Sequence, residues 1–508
     1  MVTGRTLWEL VDARAEATPD ALMAVDEDMR TMSFLEYATE VERAAAGLAD
    51  YGIGEGSVVA WQLPTWMESL VLVGALSRLG AVQNPILPIY REREVGFTTK
   101  QAAADLLIVP SVWNGFDFEA MATDIARENG SMQVLVADKA LPQGDPSRLP
   151  APPDPDVEEA PVRWLFYTSG TTSDPKGAQH TDRTIAAVAR GMGERLALIQ
   201  ADRSALVFPF THIGGITWLF SSLQFGSSLI LMEAFHPERT PEVLSREGVT
   251  LAGSGTPFHM AYLAYQRARP EPIFPNVRGF PGGGAPKPPQ LVHDMREVFD
   301  APVLSGYGLT EVPILTMASV DDTDDELALT EGKPMRDVRL RLVRPDGVEA
   351  AAGEEGEIRA KAPQLMKGYL DPALDADAFD EDGWFRTGDL GRIDERGNVI
   401  ITGRLKDVII RKGENVSAKE VEDHLFKHPK VDDVAVIGVP DADRGEMVCA
   451  VVSTPAGSDP LTMEEMVDFL KNDGLMIQKL PERLEIVDRI PRNPAGKIQK
   501  QELKERYS

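Results

Sequence analysis

The chain of 508 residues holds 80 acidic and 52 basic residues, a formal charge of −28, with 43% hydrophobic and 26% charged residues. At roughly 150 residues per domain this length predicts about three folding units with substantial buried cores, and it excludes a single small module. The acidic field repels nucleic-acid phosphates and anionic membrane surfaces, which excludes nucleic acid as a partner; any polyphosphate site has to be a local island of Lys, Arg and backbone N–H.

The first residues, MVTGRTLWELVDARAEATPDAL, carry acids among their apolar positions and lack the uninterrupted apolar core of a signal peptide. A single cysteine rules out a disulfide framework, and a cytoplasmic location is expected. Helical patterns then alternate with short β-branched runs at Ser57–Ala60 and Leu106–Val109, the rhythm of βαβ units. From Leu141 to Pro161 the segment LPQGDPSRLPAPPDPDVEEAP is too rich in Pro and acid to pack as a helix or central strand, and is expected as an exposed connection. A second α/β stretch follows to about residue 320. Within it residues 204–232 contain no Asp, Glu, Lys or Arg, but Pro209, glycines and several Ser and Thr argue for a buried helix or pocket wall rather than a membrane span.

Gly332 to Arg404 shows short alternating runs and Asp/Gly turns, the pattern of a small antiparallel barrel or sandwich. After Arg404 the pattern changes. Asp407–Ile410 reads as a strand, Ser417-Ala418-Lys419-Glu420 as a capping box opening a helix through Val421, Leu425 and Phe426, and Val434–Val439 and Met447–Val452 as further strands. Cys449 falls in the last of these and reads as a buried strand residue, not a nucleophile. The expected fold is α/β: a large N-terminal domain over 1–405, with subdomains of approximately 1–160, 161–320 and 321–405, then a small, mobile α+β domain over 406–508. His424 and His428 lie four apart on the predicted helix without acidic or Cys partners at ligand spacing, and read as surface residues rather than a zinc pair.

The strongest local signal is Trp164-Leu165-Phe166-Tyr167-Thr168-Ser169-Gly170-Thr171-Thr172-Ser173-Asp174-Pro175-Lys176-Gly177, a strand entering a small hydroxyl-rich loop with one Lys. Backbone N–H groups and hydroxyls of such a loop can donate to phosphate oxygens while Lys176 adds a mobile charge. It is not a Walker loop, because Lys176 is flanked by Pro175 and Gly177 where that motif needs Gly and then Ser or Thr. Gly282-Gly283-Gly284-Ala285-Pro286 reads as a tight turn before a helix primed by Pro288 and Pro289. Ser305-Gly306-Tyr307-Gly308-Leu309-Thr310-Glu311 puts an aromatic plane, a hydroxyl and a carboxylate on one loop. Trp384-Phe385-Arg386-Thr387-Gly388-Asp389, Gly403-Arg404-Leu405-Lys406-Asp407 and Arg492-Asn493-Pro494-Ala495-Gly496-Lys497 complete the series.

These segments, in this order, closely resemble the signature motifs of the adenylate-forming superfamily of acyl-CoA synthetases, peptide-synthetase adenylation domains and firefly luciferase, with Ser173 where Gly is usual. The resemblance implies that Thr168, Ser169, Gly170, Thr171, Thr172 and Lys176 wrap the ATP phosphates. Gly283, Gly284 and Ala285 would edge the adenine, and Gly306, Tyr307 and Gly308 would form the loop on which Tyr307 stacks against it. Thr310 would meet the α-phosphate, and Glu311 with Thr168 would hold Mg²⁺ through oxygen ligands. Asp389 would accept the ribose hydroxyls, assisted by Arg404. Lys497 would bridge the acid and the α-phosphate as they join, Lys406 would be the hinge of a C-terminal domain that rotates between two steps, and in the second orientation Lys412 and Gly413 would line the coenzyme A tunnel; Arg444 is read as a surface arginine, with a CoA phosphate as its lesser alternative. Ser417 and Ala418 replace a more usual Tyr-Pro pair beside that loop.

His212, in Phe208-Pro209-Phe210-Thr211-His212-Ile213-Gly214-Gly215, stands where acyl-CoA synthetases place a histidine beside the acyl carboxylate, with Ile213, Gly214 and Gly215 as pocket neighbours. Peptide-synthetase domains usually carry an aspartate in this region. The apolar surroundings suit an aliphatic, alicyclic, aromatic or steroid-derived tail, and Ala75–Pro85 also resembles ligases for medium-chain and alicyclic acids. The expectation is an AMP-forming acyl-CoA synthetase, monomer or homodimer, using ATP, Mg²⁺ and CoA. The alternatives are luciferase-type oxygenation, a stand-alone adenylating enzyme with another acceptor, or a non-catalytic nucleotide-binding regulator. A peptide-synthetase module is disfavoured by the 11 residues that follow Lys497.

Overall fold

The computed structural model describes residues 1–168, 175–284, 287–411, 414–441, 444–455, 457–492 and 498–508. The chain opens with two helices set by side-chain caps. Thr6 accepts from Glu9 N at the start of Leu7–Ala17, Ser33 accepts from Glu36 N at the start of Phe34–Asp50, and each Glu returns the bond to its cap backbone. Both helices pack against Met67–Leu79, which is buried along nearly its whole length.

Among the described residues up to 338, three larger sheets stand beside a small two-stranded one of Val112–Trp113 and Phe116–Asp117. A six-stranded sheet runs in the order Lys176–His180, Trp164–Thr168, Val82–Pro85, Val58–Trp61, Leu106–Val109, Gln133–Val136; its pairs are parallel except the antiparallel hairpin of the first two. A second sheet orders Arg203–Leu206, Ser228–Leu231, Leu22–Asp26 and Thr31–Ser33. Parallel bridges from Ser204 to Leu251 and from Leu251 to Gly279 connect its edge to a third, of Phe280–Gly283, Val303–Tyr307, Thr316–Met317 and Lys333–Pro334.

The sheets interleave across the boundary expected near residue 160. The hairpin 164–180 completes the sheet begun by residues 58–109, while Leu22–Asp26 leaves that region to pair with Ser228–Leu231. A strand's hydrophobic pattern reports that it is buried, not which sheet buries it. Residues 141–161 form the exposed connection, steadied where Arg183 donates to Val157 O at 2.6 Å.

The charge-free run centres on a buried helix, Ile213–Phe225, between the strands Arg203–Leu206 and Ser228–Leu231. It packs tightly on the helix Asp182–Arg195: a Cβ added to Gly193 would lie 2.2 Å from the Phe225 ring. Residues 339–404 make an antiparallel four-stranded unit of Arg339–Val343, Gly356–Lys361, Phe385–Ile393 and Val399–Arg404.

Beyond Arg404 a single 3-10 turn, Leu405–Asp407, leads to a five-stranded sheet with its own core. That core runs from Ile409 to Leu503 and shares no residue with the clusters that precede it. Ser417 caps Ala418–Leu425 by accepting from Glu420 N, but the Glu420 carboxylate takes Lys479 Nζ at 2.6 and 2.7 Å rather than returning the bond. Cys449 is fully buried in the strand Gly445–Ser453, and burial pushes its thiol up to about 11. His424 pairs with Asp473 at 2.5 Å and His428 packs edge-on to Phe469. Among the described residues no helix is long and apolar enough to cross a membrane.

His180 and His259 are buried, and burial lowers both imidazoles from 6.5 to about 4. Their folded values lie below the unfolded one, so the stability they contribute is complete above pH 6.5 and is lost as pH falls from there toward 4. Denaturant unfolding followed across that window is expected to show stability falling by on the order of a few kcal/mol per imidazole. His259→Gln is expected to flatten part of the slope.

Candidate active site

The carboxyl ends of the strands Trp164–Thr168, Arg203–Leu206, Phe280–Gly283 and Val303–Tyr307 open into one cavity of about 840 Å³. In open α/β sheets this is where ligands bind. Thr168, Lys176, Gly283, Gly284, Gly306, Gly308, Thr310, Glu311, Asp389, Arg404, Lys406, His212, Ile213 and Gly214 all face it, residues drawn from positions almost 240 apart. Ser169, Gly170, Thr171, Thr172, Ala285, Lys412, Gly413 and Lys497 lie outside the described residues.

Close approach of two parallel strands explains the glycines at the cavity floor. Gly283 stands opposite Gly306, and a Cβ on Gly283 would come 2.5 Å from Gly306 O. Gly308 is tighter still, its added Cβ falling 2.2 Å from Ile314 N. Backbone, not side chain, therefore faces the cavity here, and a flat ligand can lie against it.

At the strand end Tyr307 is half-buried and is not itself among the residues facing the cavity; its hydroxyl donates to Asp389 Oδ2 at 2.7 Å. Asp389, 3% exposed, also takes Arg404 Nε at 3.0 Å on Oδ1, its partner across the antiparallel ladder. Burial and the Asp389 charge push the Tyr307 phenol well above its usual range, so it remains a donor. The carboxylate is thus fixed in orientation at the cavity wall, with the lone-pair capacity to accept a pair of hydroxyls.

Glu311, 8% exposed, accepts from the Tyr369 hydroxyl at 2.7 Å on Oε1. Lys176 Nζ sits 5.5 Å from the centre of the Tyr369 ring. Thr310 O accepts from His180 Nε2 at 2.8 Å, with Thr184 Oγ1 3.1 Å from the other ring nitrogen, so a buried imidazole fixes the loop bearing both Thr310 and Glu311. Oxygen donors at Thr168 and Glu311 suit a hard cation bound mainly through substrate phosphates. Among the described residues no cluster of three His, Cys, Asp or Glu forms a free-standing metal site.

His212 caps the buried helix: Nδ1 accepts from Gly214 N at 3.0 Å, which leaves the proton on Nε2. Burial lowers the imidazole to about 4, so it is a neutral donor at ordinary pH. Gly215 is not a cavity wall; its missing side chain lets the helix approach Phe210, whose carbonyl oxygen would lie 2.5 Å from an added Cβ. Arg444 also stays out of the cavity, engaged with Asp441 at 3.3 Å and near Glu482 at 3.6 Å.

Two residues escaped the sequence reading. Tyr369 gave no signal, because only the chain crossing at Gln179 and Lys367 brings it to Glu311. Lys287 looks like a turn lysine, yet its buried amine donates to Ser305 Oγ at 2.5 Å and Thr330 O at 2.6 Å, bracing the strand that carries Tyr307. Burial lowers that amine's pKa, opposed by Glu331 at 3.3 Å.

Residues 11–370 match the family model of the AMP-binding enzymes, and residues 420–497 that of the AMP-binding enzyme C-terminal domain. The chain belongs to the AMP-binding enzyme family. It is an adenylate-forming ligase, with the mixed α/β fold of that superfamily. This AMP-binding enzyme is 30% identical to the medium-chain fatty-acid–CoA ligase of Escherichia coli K12, over 96% of this chain and 88% of that protein. It is also 30% identical to the salicyl-AMP ligase/salicyl-S-ArCP synthetase of Mycobacterium tuberculosis, over 99% and 90%. Among solved structures, ATP-bound MatB from Rhodopseudomonas palustris aligns with a TM-score of 0.89 at 28% identity, covering 99% of both chains.

Asp389→Asn in this AMP-binding enzyme is expected to weaken ATP binding by roughly ten- to a hundredfold, measured by calorimetric titration, because a charged hydrogen-bond acceptor is worth roughly 1.5–3 kcal/mol. Tyr369→Phe keeps the ring beneath Lys176 and frees Glu311. The expected result is a several-fold shift in the Mg²⁺ concentration that half-saturates ATP binding, with thermal stability little changed.

Proposed function

We propose that the enzyme is an AMP-forming acyl-CoA synthetase that activates a hydrophobic carboxylic acid. The observation that carries this is one cavity whose wall holds both Asp389 and Arg404 and the apolar residues Phe208, Ile213, Trp218, Phe258 and Met317, with His212 also facing it. In this reading Asp389 accepts the ribose hydroxyls, and Tyr307 lies against the adenine on the bare backbone of Gly283 and Gly306. The acyl tail fills the apolar end, where Nε2–H of His212 donates to the carboxylate.

A carboxylate is a poor acyl donor, so the first step forms a bond from its oxygen to the α-phosphorus of ATP and breaks the bond to pyrophosphate, which leaves. Catalysis here is positioning and charge neutralisation. Thr310 and Lys176 meet the phosphates, and Lys497 offsets charge that builds between acid and α-phosphate. Mg²⁺, held by Thr168 and Glu311 together with the phosphates, supplies further neutralisation when bound. In the second step the CoA thiolate attacks the acyl carbonyl and AMP leaves. Lys406 is assigned as the hinge between the steps and Lys412 and Gly413 as contacts to CoA. The burial of Cys449 accords with a route that needs no protein nucleophile.

AMP and pyrophosphate release with ATP, Mg²⁺ and CoA is measured across fatty, alicyclic, aromatic, steroid-side-chain and amino acids. CoA-dependent AMP formation with one hydrophobic class is the expected result; AMP formation that CoA never stimulates would assign another acceptor. Lys497→Ala is expected to lower adenylate formation by on the order of 10²–10³, while thioester formation from supplied acyl-AMP changes much less. Because His212 titrates at about 4, it holds one neutral form above that value. Its contribution, read as the ratio of wild type to His212→Asn in pyrophosphate release, is expected to stay flat from pH 8 to 5 and to change only as pH approaches 4.

A further inference from the structure

Behind His212 lies a second, smaller space of about 20 Å³, walled by Asn84, Thr211 and their neighbours. It shares six wall residues with the large cavity, His212 and Thr310 among them. Asn84 is the third residue of the strand Val82–Pro85 and is 0% exposed; Thr211, immediately before the helix cap, is 2% exposed. Neither amide atom of Asn84, nor Thr211 Oγ1, has a hydrogen-bond partner in the protein.

Three buried polar atoms at one place have given up water without gaining a partner, which is costly for each of them. The other polar groups nearby are engaged: Thr98 Oγ1 donates to Val95 O, and Tyr167 OH to Thr98 O. Much of the remaining wall is apolar, with Pro85, Ile86 and Phe166. An amide presents both donors and an acceptor, and a threonine hydroxyl does likewise, so the complementary group is neutral and itself both donates and accepts. No charged side chain lines the space to balance an ion. A volume of about 20 Å³ accommodates one water-sized group, which needs roughly 10–15 Å³.

We propose that Asn84 and Thr211 form a polar subsite beside His212 that takes a single hydroxyl-class oxygen, supplied by a bound water or by a hydroxyl that the carboxylic acid carries close to its carboxylate. The substrate arm of this proposal rests on the function proposed above. With the acid's hydroxyl as occupant, the subsite is a specificity determinant. With water as occupant, it is a fixed polar floor beneath the carboxylate site.

The test uses the full-length protein with Asn84→Leu and Thr211→Val, which nearly preserve side-chain size and remove the unpartnered atoms. ATP–pyrophosphate exchange is measured with pairs of acids identical except for a hydroxyl on the carbon beside the carboxyl-bearing position, and a crystal structure of the wild type is read for ordered oxygens at the subsite. A preference of about tenfold or more for the hydroxylated acid, brought close to one by both substitutions, assigns the acid's hydroxyl. No such preference, together with an ordered oxygen within about 3.2 Å of Asn84 and Thr211, assigns water. A preference that survives both substitutions overturns the subsite, and so does the lack of both a preference and an ordered oxygen. Exchange with no acid at all would instead count against the proposed function, and the crystallographic reading would still decide the subsite.

Discussion

A buried carboxylate needs compensating donors, and Asp389 meets that need by joining parts of the chain that are far apart in sequence. Tyr307 comes from the end of the third sheet and Arg404 from the last strand before the C-terminal unit, and both bond to one side chain that is 3% exposed. Removing either donor would leave a charge partly unpaired at the edge of a low-dielectric wall. The Tyr307–Asp389 hydrogen bond therefore ties the antiparallel unit to the third sheet, while the register Asp389↔Arg404 holds the carboxylate from within that unit. The same contact sets the point at which the chain departs into Leu405–Asp407.

A second constraint is electrostatic. Residues 1–405 hold 36 basic and 60 acidic side chains, residues 406–508 hold 16 and 20, so the acidic excess resides mainly in the part that forms the cavity. In a chain of this charge a polyphosphate site needs local donors, and the cavity wall carries the ammonium of Lys176 and the backbone left bare by Gly283, Gly306 and Gly308. Lys406 shares this wall with Arg404 at the junction of the two units, and burial followed by the Arg404 charge lowers its amine pKa. His212 on the cavity wall and His180, which donates to Thr310 O behind it, are both held uncharged by burial.

The candidate site was legible to the extent that local chemistry announces itself. Glycine triplets, a hydroxyl-rich loop with one lysine and the Tyr307–Glu311 loop carry signals within a few residues, and most described members of these motifs do face one cavity. Gly215 reads like Gly214 in sequence, yet it serves helix packing against Phe210, a distinction that depends on which way a helix face turns. Arg444 reads as an available cation, yet Asp441 and Glu482 engage it. Tyr369, Lys287 and Asn84 carried no local signal, because each acquires its role from a strand or loop distant in sequence.

Composition and pattern by themselves determined the α/β class, the exposed Pro-rich connection, the buried charge-free helix, the change of character after Arg404 and the inert placement of Cys449. Each follows from burial periodicity, backbone chemistry or charge within a short window. Only the tertiary structure decided that the strands on either side of residue 160 exchange sheets, that Asp389 is held by Tyr307 and Arg404, and that an unpartnered asparagine lies behind His212. Partner choice among strands and buried polar groups depends on long-range packing, which a window of neighbouring residues does not encode.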